Sequence, residues 1–411
     1  MAIKNMALSP LVTEYDDNGD PVTPGITKIE QVRDEPLPIL KGWEAVRMRP
    51  GMYIGDVGTR GLHHMFKEIV DNAVDEVLAG HCTEIDVVLG DDYTITVSDN
   101  GRGIPVNIIE GTDKTGVELV FTDIHASRKL RDYSHRVFGG LHGIGASAVN
   151  ALSEWLRCDV KCGGKVYRMR FKRGVPVTAL ETVADCGLEE QGTTVTWLAD
   201  KMIFLPALTD SGDLAYDSEL IADRCRELAY HLSDARITFQ DRLHTKPLET
   251  FHFPNGVADY VRDLNRGRTV FPAEPIAFHG VIGDTLIEVA LQYSDADCEA
   301  VLGFANMIPT PENGTHITGF RRALTKAVNG FDKERTKHGG GITRRGLTAV
   351  VSVQMPYLSW GGSSKVRVMN PELEGIVFSM VYAGLKKHWT QYPEQWREVV
   401  EQVVSRSRIS A

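Results

Sequence analysis

Four glycines within seven residues, Gly139-Gly140-Leu141-His142-Gly143-Ile144-Gly145, stand directly ahead of Ala146, Ala148, Val149, Ala151 and Leu152, which fall at helical spacing. Glycines before a helix N-terminus let backbone N–H groups approach an anion closely, and the unpaired donors of the first turn favour negative charge. The order therefore fits a phosphate cradle. It is not a Walker loop, which ends in Gly-Lys-Ser/Thr, nor the dinucleotide fingerprint, which follows a strand inside a βαβ unit. Taken alone, the cluster leaves a phosphate cradle and an ordinary turn both open.

A second segment narrows the choice. Leu62, Met65, Phe66, Ile69, Val70, Ala73, Val74, Val77 and Leu78 form one apolar stripe of a helix that Gly80 ends, while Glu68, Asn72, Asp75 and Glu76 occupy other faces. The step of four from Glu68 to Asn72 places those side chains one turn apart on the same side. Alternating residues 85–89 and 93–97 around Gly90-Asp91-Asp92 predict a hairpin, which runs into Asp99-Asn100-Gly101-Arg102-Gly103. If Glu68 and Asn72 face a cleft with Asp99 at one end and the glycine cluster at the other, the parts of an ATP site are present. Asp99 can accept from a purine amine, Asn72 can offer a carbonyl oxygen to Mg2+, and Glu68 can hold a water. Four unrelated surface features are the alternative.

At 411 residues the chain exceeds what one core usually serves, so two domains are expected. We place an acidic, aperiodic arm over residues 1–38, a first domain over 39–250 of helices and a largely antiparallel sheet, and a second domain over 251–411. Pro247, Pro254 and Gly256 interrupt the periodicity at the boundary. A formal charge of −10 argues against a protein that coats nucleic acid with its whole surface, although a local basic patch is compatible with it. The six cysteines lack the spacing of a zinc site and are too sparse for a disulfide scaffold. With no apolar run of membrane length and no basic-then-apolar leader, we expect a cytoplasmic protein without a membrane partner.

Several ordered blocks carry a resemblance: Gly42-Trp43-Glu44-Ala45-Val46-Arg47, Arg49-Pro50-Gly51-Met52-Tyr53-Ile54-Gly55, Glu68-Ile69-Val70-Asp71-Asn72-Ala73-Val74-Asp75-Glu76, and Asp99-Asn100-Gly101-Arg102-Gly103-Ile104-Pro105. The glycine cluster with Ala148-Val149-Asn150-Ala151-Leu152-Ser153 completes the set. Over about residues 39–395 the chain resembles the ATPase subunit of bacterial type IIA DNA topoisomerases, the gyrase B and topoisomerase IV B family. The resemblance implies an α+β fold: a gyrase-type ATP-binding sandwich, then an α/β transducer domain with a left-handed-crossover-type fold. It implies ATP and Mg2+ as cofactors, Glu68 as water-activating base, His64 as its orienting partner, and Asn72 as the metal ligand. Asp99 would read adenine with help from Thr193, while Arg102, Gly103, Ile104 and Pro105 would line the outer edge of the nucleotide. Asp75 and Glu76 would support them, Lys129 would belong to the lid, and Gly139, Gly140, Leu141, His142, Gly143, Ile144 and Gly145 would cradle the phosphates.

Gly314-Thr315-His316 and residues 347–353 resemble the transducer, whose loop sends a lysine into the ATP site of its own chain. Lys365 in Trp360-Gly361-Gly362-Ser363-Ser364-Lys365 aligns with it and would act on the γ-phosphate. Ser363-Ser364 departs from the family's Gln-Thr, Ala126-Ser127-Arg128-Lys129 from its Ala-Gly-Gly-Lys, and Val32 stands where an arm tyrosine is usual. From Arg321 through Arg345, eight Lys or Arg face two acidic residues, a segment expected to meet DNA phosphates. The resemblance further implies a homodimer formed on ATP binding, capture of double-stranded DNA, and a topoisomerase A-type cleavage subunit as partner. The chain stops before the family's metal-binding strand-passage region, so alone it is expected to hydrolyse ATP without cleaving DNA. A catalytically weak nucleotide-binding paralogue, acting as an interaction or regulatory module, is the alternative reading.

Overall fold

The computed structural model describes residues 42–124, 143–331, 337–362 and 365–409, which belong to one compact unit. The arm, the lid with Lys129, and Gly139, Gly140, Leu141 and His142 lie outside the described residues.

The first described helices, α1 (Gly42–Met48) and α2 (Gly51–Ile54), lead into α3 (Thr59–Leu78). Asp56 shapes that entry: its Oδ1 accepts from the Gly58 and Gly61 N–H groups at 2.8 and 3.2 Å, satisfying donors at the helix start. Arg47 then ties α1 inward, donating to the Ala151 carbonyl and to Asp200, both at 2.7 Å. The Arg47–Ala151 contact joins two of the blocks that carry the resemblance.

The first sheet comprises β1 (Glu84–Leu89), β2 (Ile95–Asp99), β3 (Ser153–Cys162), β4 (Lys165–Lys172), β5 (Val175–Pro176), β6 (Glu181–Asp185), β7 (Gly192–Ala199), β8 (Arg236–Asp241) and β9 (Glu249–Phe251). Its order is β5-β4-β3-β7-β2-β1-β8-β9, with β6 pairing β4. Among the described residues every pairing is antiparallel except β1 with β8, as the largely antiparallel expectation requires. Helices α3, α4 (Gly116–Thr122), α5 (Gly145–Leu152) and α6 (Ser218–His231) share one apolar core with this sheet, in which Leu62, Phe66, Trp197 and Phe239 are buried. Burying side chains of this size contributes about 1.5–3 kcal/mol each, enough to fix which face of α3 turns inward. The stripe from Leu62 to Val74 is that face, so Glu68 and Asn72 are left off it.

After α7 (Val257–Leu264) comes a second sheet of β10 (Val270–Ile282), β11 (Thr285–Ser294), β12 (Ala300–Ala305), β13 (Ile308–Pro309) and β14 (Leu347–Gln354), in the order β10-β11-β14-β12-β13. Strands β12 and β14 run parallel, and the connection between them passes through α8 (Thr315–Phe331) and α9 (Gly340–Thr343). One face of the sheet packs on α8, α10 (Pro371–Gln391) and α11 (Pro393–Ile409), with Phe320, Leu385 and Trp396 buried; the other packs on α7 through Val261, Phe304 and Val350. All of β14 is buried, on both faces of the sheet, including the polar Thr348, Ser352 and Gln354. Gly319 allows α8 and α10 to meet, since a Cβ there would lie 2.4 Å from the Glu374 carbonyl oxygen.

At the end of α6, His231 is buried with both ring nitrogens unpartnered and its ring centroid 4.4 Å from that of Phe304. Burial, reinforced by the charge of Arg224, pushes its pKa down to about 3. The unfolded chain, with His near 6.5, binds a proton that the folded chain refuses between these values. Stability is therefore full above about pH 6.5 and falls as the pH drops towards 3. His231→Leu should remove this loss. Between pH 7 and pH 5 the wild type should lose about 2 kcal/mol more unfolding free energy than the variant, read by denaturant titration at both pH values. Equal losses would show that His231 finds a proton-compatible setting in the fold.

Candidate active site

Glu68 projects from the middle of α3 towards the first residue of α5. An added Cβ at Gly145 would fall 1.9 Å from Glu68 Oε2, so the carboxylate sits directly against the glycine backbone that opens that helix. His64, one turn earlier, places Nε2 at 3.1 Å from Glu68 Oε1. Burial alone would raise the Glu68 pKa, but the His64 hydrogen bond and the charges of His64, Lys365 and Lys67 outweigh it and hold the carboxyl below its ordinary value. The group is therefore ionised at neutral pH. Lys365 has positive φ (55°) and is near enough to act electrostatically on both Glu68 and Lys67.

The remaining members divide between binding surfaces and internal supports. Asn72 is exposed, and among the described residues its amide has no protein partner. Asp99, at the end of β2, accepts through Oδ1 from the N–H groups of Gly101 (2.9 Å) and Thr193 (3.3 Å). Burial raises its pKa to about 6 despite these two bonds. Gly192 makes this corner: its φ is +134°, and a Cβ there would fall 2.0 Å from the Asp99 carbonyl oxygen. Thr193 Oγ1 accepts from the Ile104 N–H at 3.2 Å, which fixes the turn running on through Gly103 and Pro105. Glu76 is engaged within the protein, accepting from the Arg102 backbone and from its guanidinium at Nε (3.0 Å) and Nη2 (2.7 Å). Asp75 is half-buried in the same helix. Gly143 has φ +59°, Ile144 precedes α5, and Gly145 begins it.

The structure thus brings Glu68, His64, Gly145 and Lys365 together beside the middle of α3, while Asp99, Thr193, Gly101 and Ile104 meet at the end of β2. Substituting Gly145 tests this packing. Gly145→Ala should lower unfolding free energy by about 1–3 kcal/mol by driving a methyl into the carboxylate. Pairing it with Glu68→Ala should restore most of that loss in thermal melts, because the clash is with that one side chain.

A cluster beyond the sequence reading lies on α3 beside the Glu68 face. Lys67 and Asp71, a pair separated by four residues, face Arg224 and Glu227 of α6, with Arg224 Nη2 at 3.3 Å from Asp71 Oδ1. The separation of Lys67 and Asp71 is a readable signal; the arrival of Arg224 is not.

The basic stretch after Arg321 is less positive in space than along the chain. Arg321 and Arg344 both pair with Glu299, Arg322 pairs with Glu374, and Arg345 pairs with Asp297 at 3.0 Å. Lys326 sits over the Phe378 and Tyr382 rings, 5.3 and 4.7 Å from their centroids. The acids that offset the charge come from β12's approach and from α10, outside the counted segment. Among the described residues no group of three or more His, Cys, Asp or Glu gathers as a metal site, and no helix is long and apolar enough to cross a membrane.

Comparison with known proteins agrees with this architecture. Residues 58–201 match the family of histidine kinase-, DNA gyrase B- and HSP90-like ATPases, and residues 256–410 match the DNA gyrase B family. The chain is 38% identical over 390 residues to DNA gyrase B of Thermotoga maritima, covering 92% of this chain and 60% of that protein. It is 42% identical over 380 residues to DNA gyrase B of Archaeoglobus fulgidus, covering 91% and 58%. It therefore spans about 60% of the length of these curated relatives. Among solved structures, the 43K ATPase domain of Thermus thermophilus gyrase B, in complex with an aminocoumarin, superposes with a TM-score of 0.78 at 37% identity, covering 90% of this chain and 97% of that one. The topoisomerase IV ATP-binding domain of Francisella tularensis gives 0.72 at 28% identity, covering 90% and 98%. With both halves matched in order and nearly all of a solved ATPase domain covered, this chain belongs to the DNA gyrase B and topoisomerase IV B family, as its N-terminal ATPase and transducer region.

Proposed function

We propose that the chain is an ATP-operated clamp of a type IIA topoisomerase, in which nucleotide binding closes two protomers around a DNA duplex and hydrolysis reopens them. The observation that carries this reading is the seat of Glu68, with its carboxylate against Gly145, bound by His64 and within the field of Lys365.

The backbone N–H groups opening α5 meet the phosphates, so the terminal phosphate comes to rest beside Glu68. The Glu68 carboxylate accepts a proton from water as the water oxygen forms its bond to the γ-phosphorus. The bond from that phosphorus to the β–γ bridging oxygen breaks, releasing ADP and inorganic phosphate. His64 keeps the carboxylate aimed and ionised, while Lys365 compensates charge on the transferring phosphoryl group. The Asp99 carboxylate accepts from the adenine amine, held in place by the N–H groups of Gly101 and Thr193. Arg102, anchored by Glu76, together with Gly103, Ile104 and Pro105, forms the edge beside it.

The unpartnered amide of Asn72 fits Mg2+, which takes few protein ligands when phosphates and water supply the others. Mg2+ held there would supply charge neutralisation to the phosphates. We assign Lys129 and the glycines from Gly139 onward to phosphate contact, residues 39–250 to the ATP-binding domain, and 251–411 to the transducer. DNA contact through the basic segment and docking to an A-type cleavage subunit complete the proposed cytoplasmic assembly.

The experiment is sedimentation of the chain with Mg2+ and either no nucleotide or a non-hydrolysable ATP analogue, alongside steady-state ATPase. A monomer that becomes a dimer only with the analogue, and that turns over ATP, is the expected result. Analogue binding with neither dimer nor turnover would replace the clamp by a nucleotide-binding interaction module.

A further inference from the structure

Arg224 joins parts of the fold that the ATPase reading uses separately. It lies on α6 at the centre of the Lys67, Asp71 and Glu227 cluster, where burial opposes its charge and the two carboxylates more than restore it. Its Nη2 donates to Asp71 on α3, and its Nη1 donates at 3.1 Å to the Met307 carbonyl, in the turn between β12 and β13 of the second sheet. That turn is tightly made. Asn306 and Met307 both have positive φ, 47° and 59°, and Met307 is buried in the core of the first sheet.

From the turn, the connection continues to Lys365. The Asn306 amide clamps the end of β14, donating to the Met355 carbonyl at 3.0 Å and accepting from the Met355 N–H at 2.9 Å. Met355 begins the loop that carries Lys365. At the far end of that loop, the Glu312 N–H donates to the Val366 carbonyl at 3.1 Å and the Val368 N–H donates to the Asn313 carbonyl at 3.3 Å. Both ends of the Lys365 loop are thus fastened to the β12–β13 hairpin or to the residues just after it. Arg224 fastens that hairpin to the helix bearing Glu68.

We propose that Arg224 is a positioning residue that, through the Asn306–Met307 turn, sets the distance of Lys365 from Glu68. The inference rests on the assignment of those two residues to the terminal phosphate. A guanidinium has the fork needed to serve Asp71, Glu227 and a carbonyl at once, whereas an ammonium on a shorter stem does not. Asn306→Gly provides a second cut in the same connection. It removes the clamp on Met355, leaves no buried charge behind, and accepts the positive φ without strain.

The test measures both variants, Arg224→Lys and Asn306→Gly, in the full chain by amide hydrogen exchange and by ATPase. Exchange at Met355, Glu312 and Val368 should quicken by about 10-fold or more, with the β3–β7 amides unchanged. The kcat should fall about 10- to 100-fold, with affinity for a non-hydrolysable ATP analogue within about 2-fold of wild type. In a Lys365→Ala background, the same substitutions should lower kcat little further. Unchanged exchange at those amides would overturn the tether whatever the ATPase does. Faster exchange with a kcat loss that persists fully in the Lys365→Ala background would overturn its action through Lys365. Wild-type turnover in Lys365→Ala alone would instead refute the role of the lysine, and exchange would still decide for or against the tether.

Discussion

Glu68→Gln should bind ATP as the wild type does and hydrolyse it about 10²- to 10⁴-fold more slowly. Glutamine keeps the length and shape of the side chain, so it retains the seat against Gly145 and can still meet His64 Nε2. What it loses is the capacity to take a proton from water at the moment of attack. Because the substituted group contacts neither adenine nor the β2 corner, affinity for a non-hydrolysable analogue should stay within about 2-fold, measured by calorimetry in Mg2+ buffer. Glu68→Ala should be as slow. Turnover equal to wild type in either variant would remove Glu68 from the mechanism and leave the chain without an assigned base.

The second large effect is expected at Lys365. Loss of a pre-placed cation aimed at a developing negative charge costs on the order of 10²–10³ in kcat, and Lys365→Ala should fall in that range. This variant should also differ from Glu68→Gln in its pH dependence. Burial drives the Glu68 pKa up while His64, Lys365 and Lys67 drive it down, so removing one of those cations lets it rise. The acid limb of the kcat/KM profile should therefore move to higher pH in Lys365→Ala, and move little in Lys365→Arg. A profile unmoved by the alanine, together with unreduced kcat, would mean that the lysine serves neither the phosphate nor the base.

Much of this site is legible in the chain because its members lie close together in sequence or within one element. His64, Glu68 and Asn72 share α3, and the apolar stripe fixes their side of the helix. Asp99 ends a strand whose hairpin turn is explicit. The strand β3 is harder: it follows α5 without a break, Leu152 ending one and Ser153 beginning the other, although Leu156, Cys158 and Val160 alternate with Arg157, Asp159 and Lys161 as a half-buried strand should. Strand β10 carries Pro272 and Pro275, which argue against a strand. The structure accommodates them between Phe271 and Ile276, where the pairing with β11 shifts register. The net charge of the basic segment is smaller in space than along the chain for a different reason. Glu299 and Asp297 sit ahead of it, and Glu374 lies beyond it, so a count along the chain misses the acids that folding brings to it. Arg224 is beyond sequence reasoning altogether, since it meets Asp71 across 153 residues.

Among the described residues the first sheet has one parallel pairing, β1 with β8, and it bears on how the protein is made. Glu84 and Arg236 stand opposite each other although 152 residues separate them. A ribosome must therefore deliver the chain through Asp241 before the sheet can close and α6 can dock behind α3. Until then the stripe from Leu62 to Val74 has no complete partner, and such delayed, non-local closure slows folding and exposes apolar surface. Helix α3 is thus synthesised well before the strand that completes its shelter, and over that interval its apolar stripe stays exposed on the nascent chain.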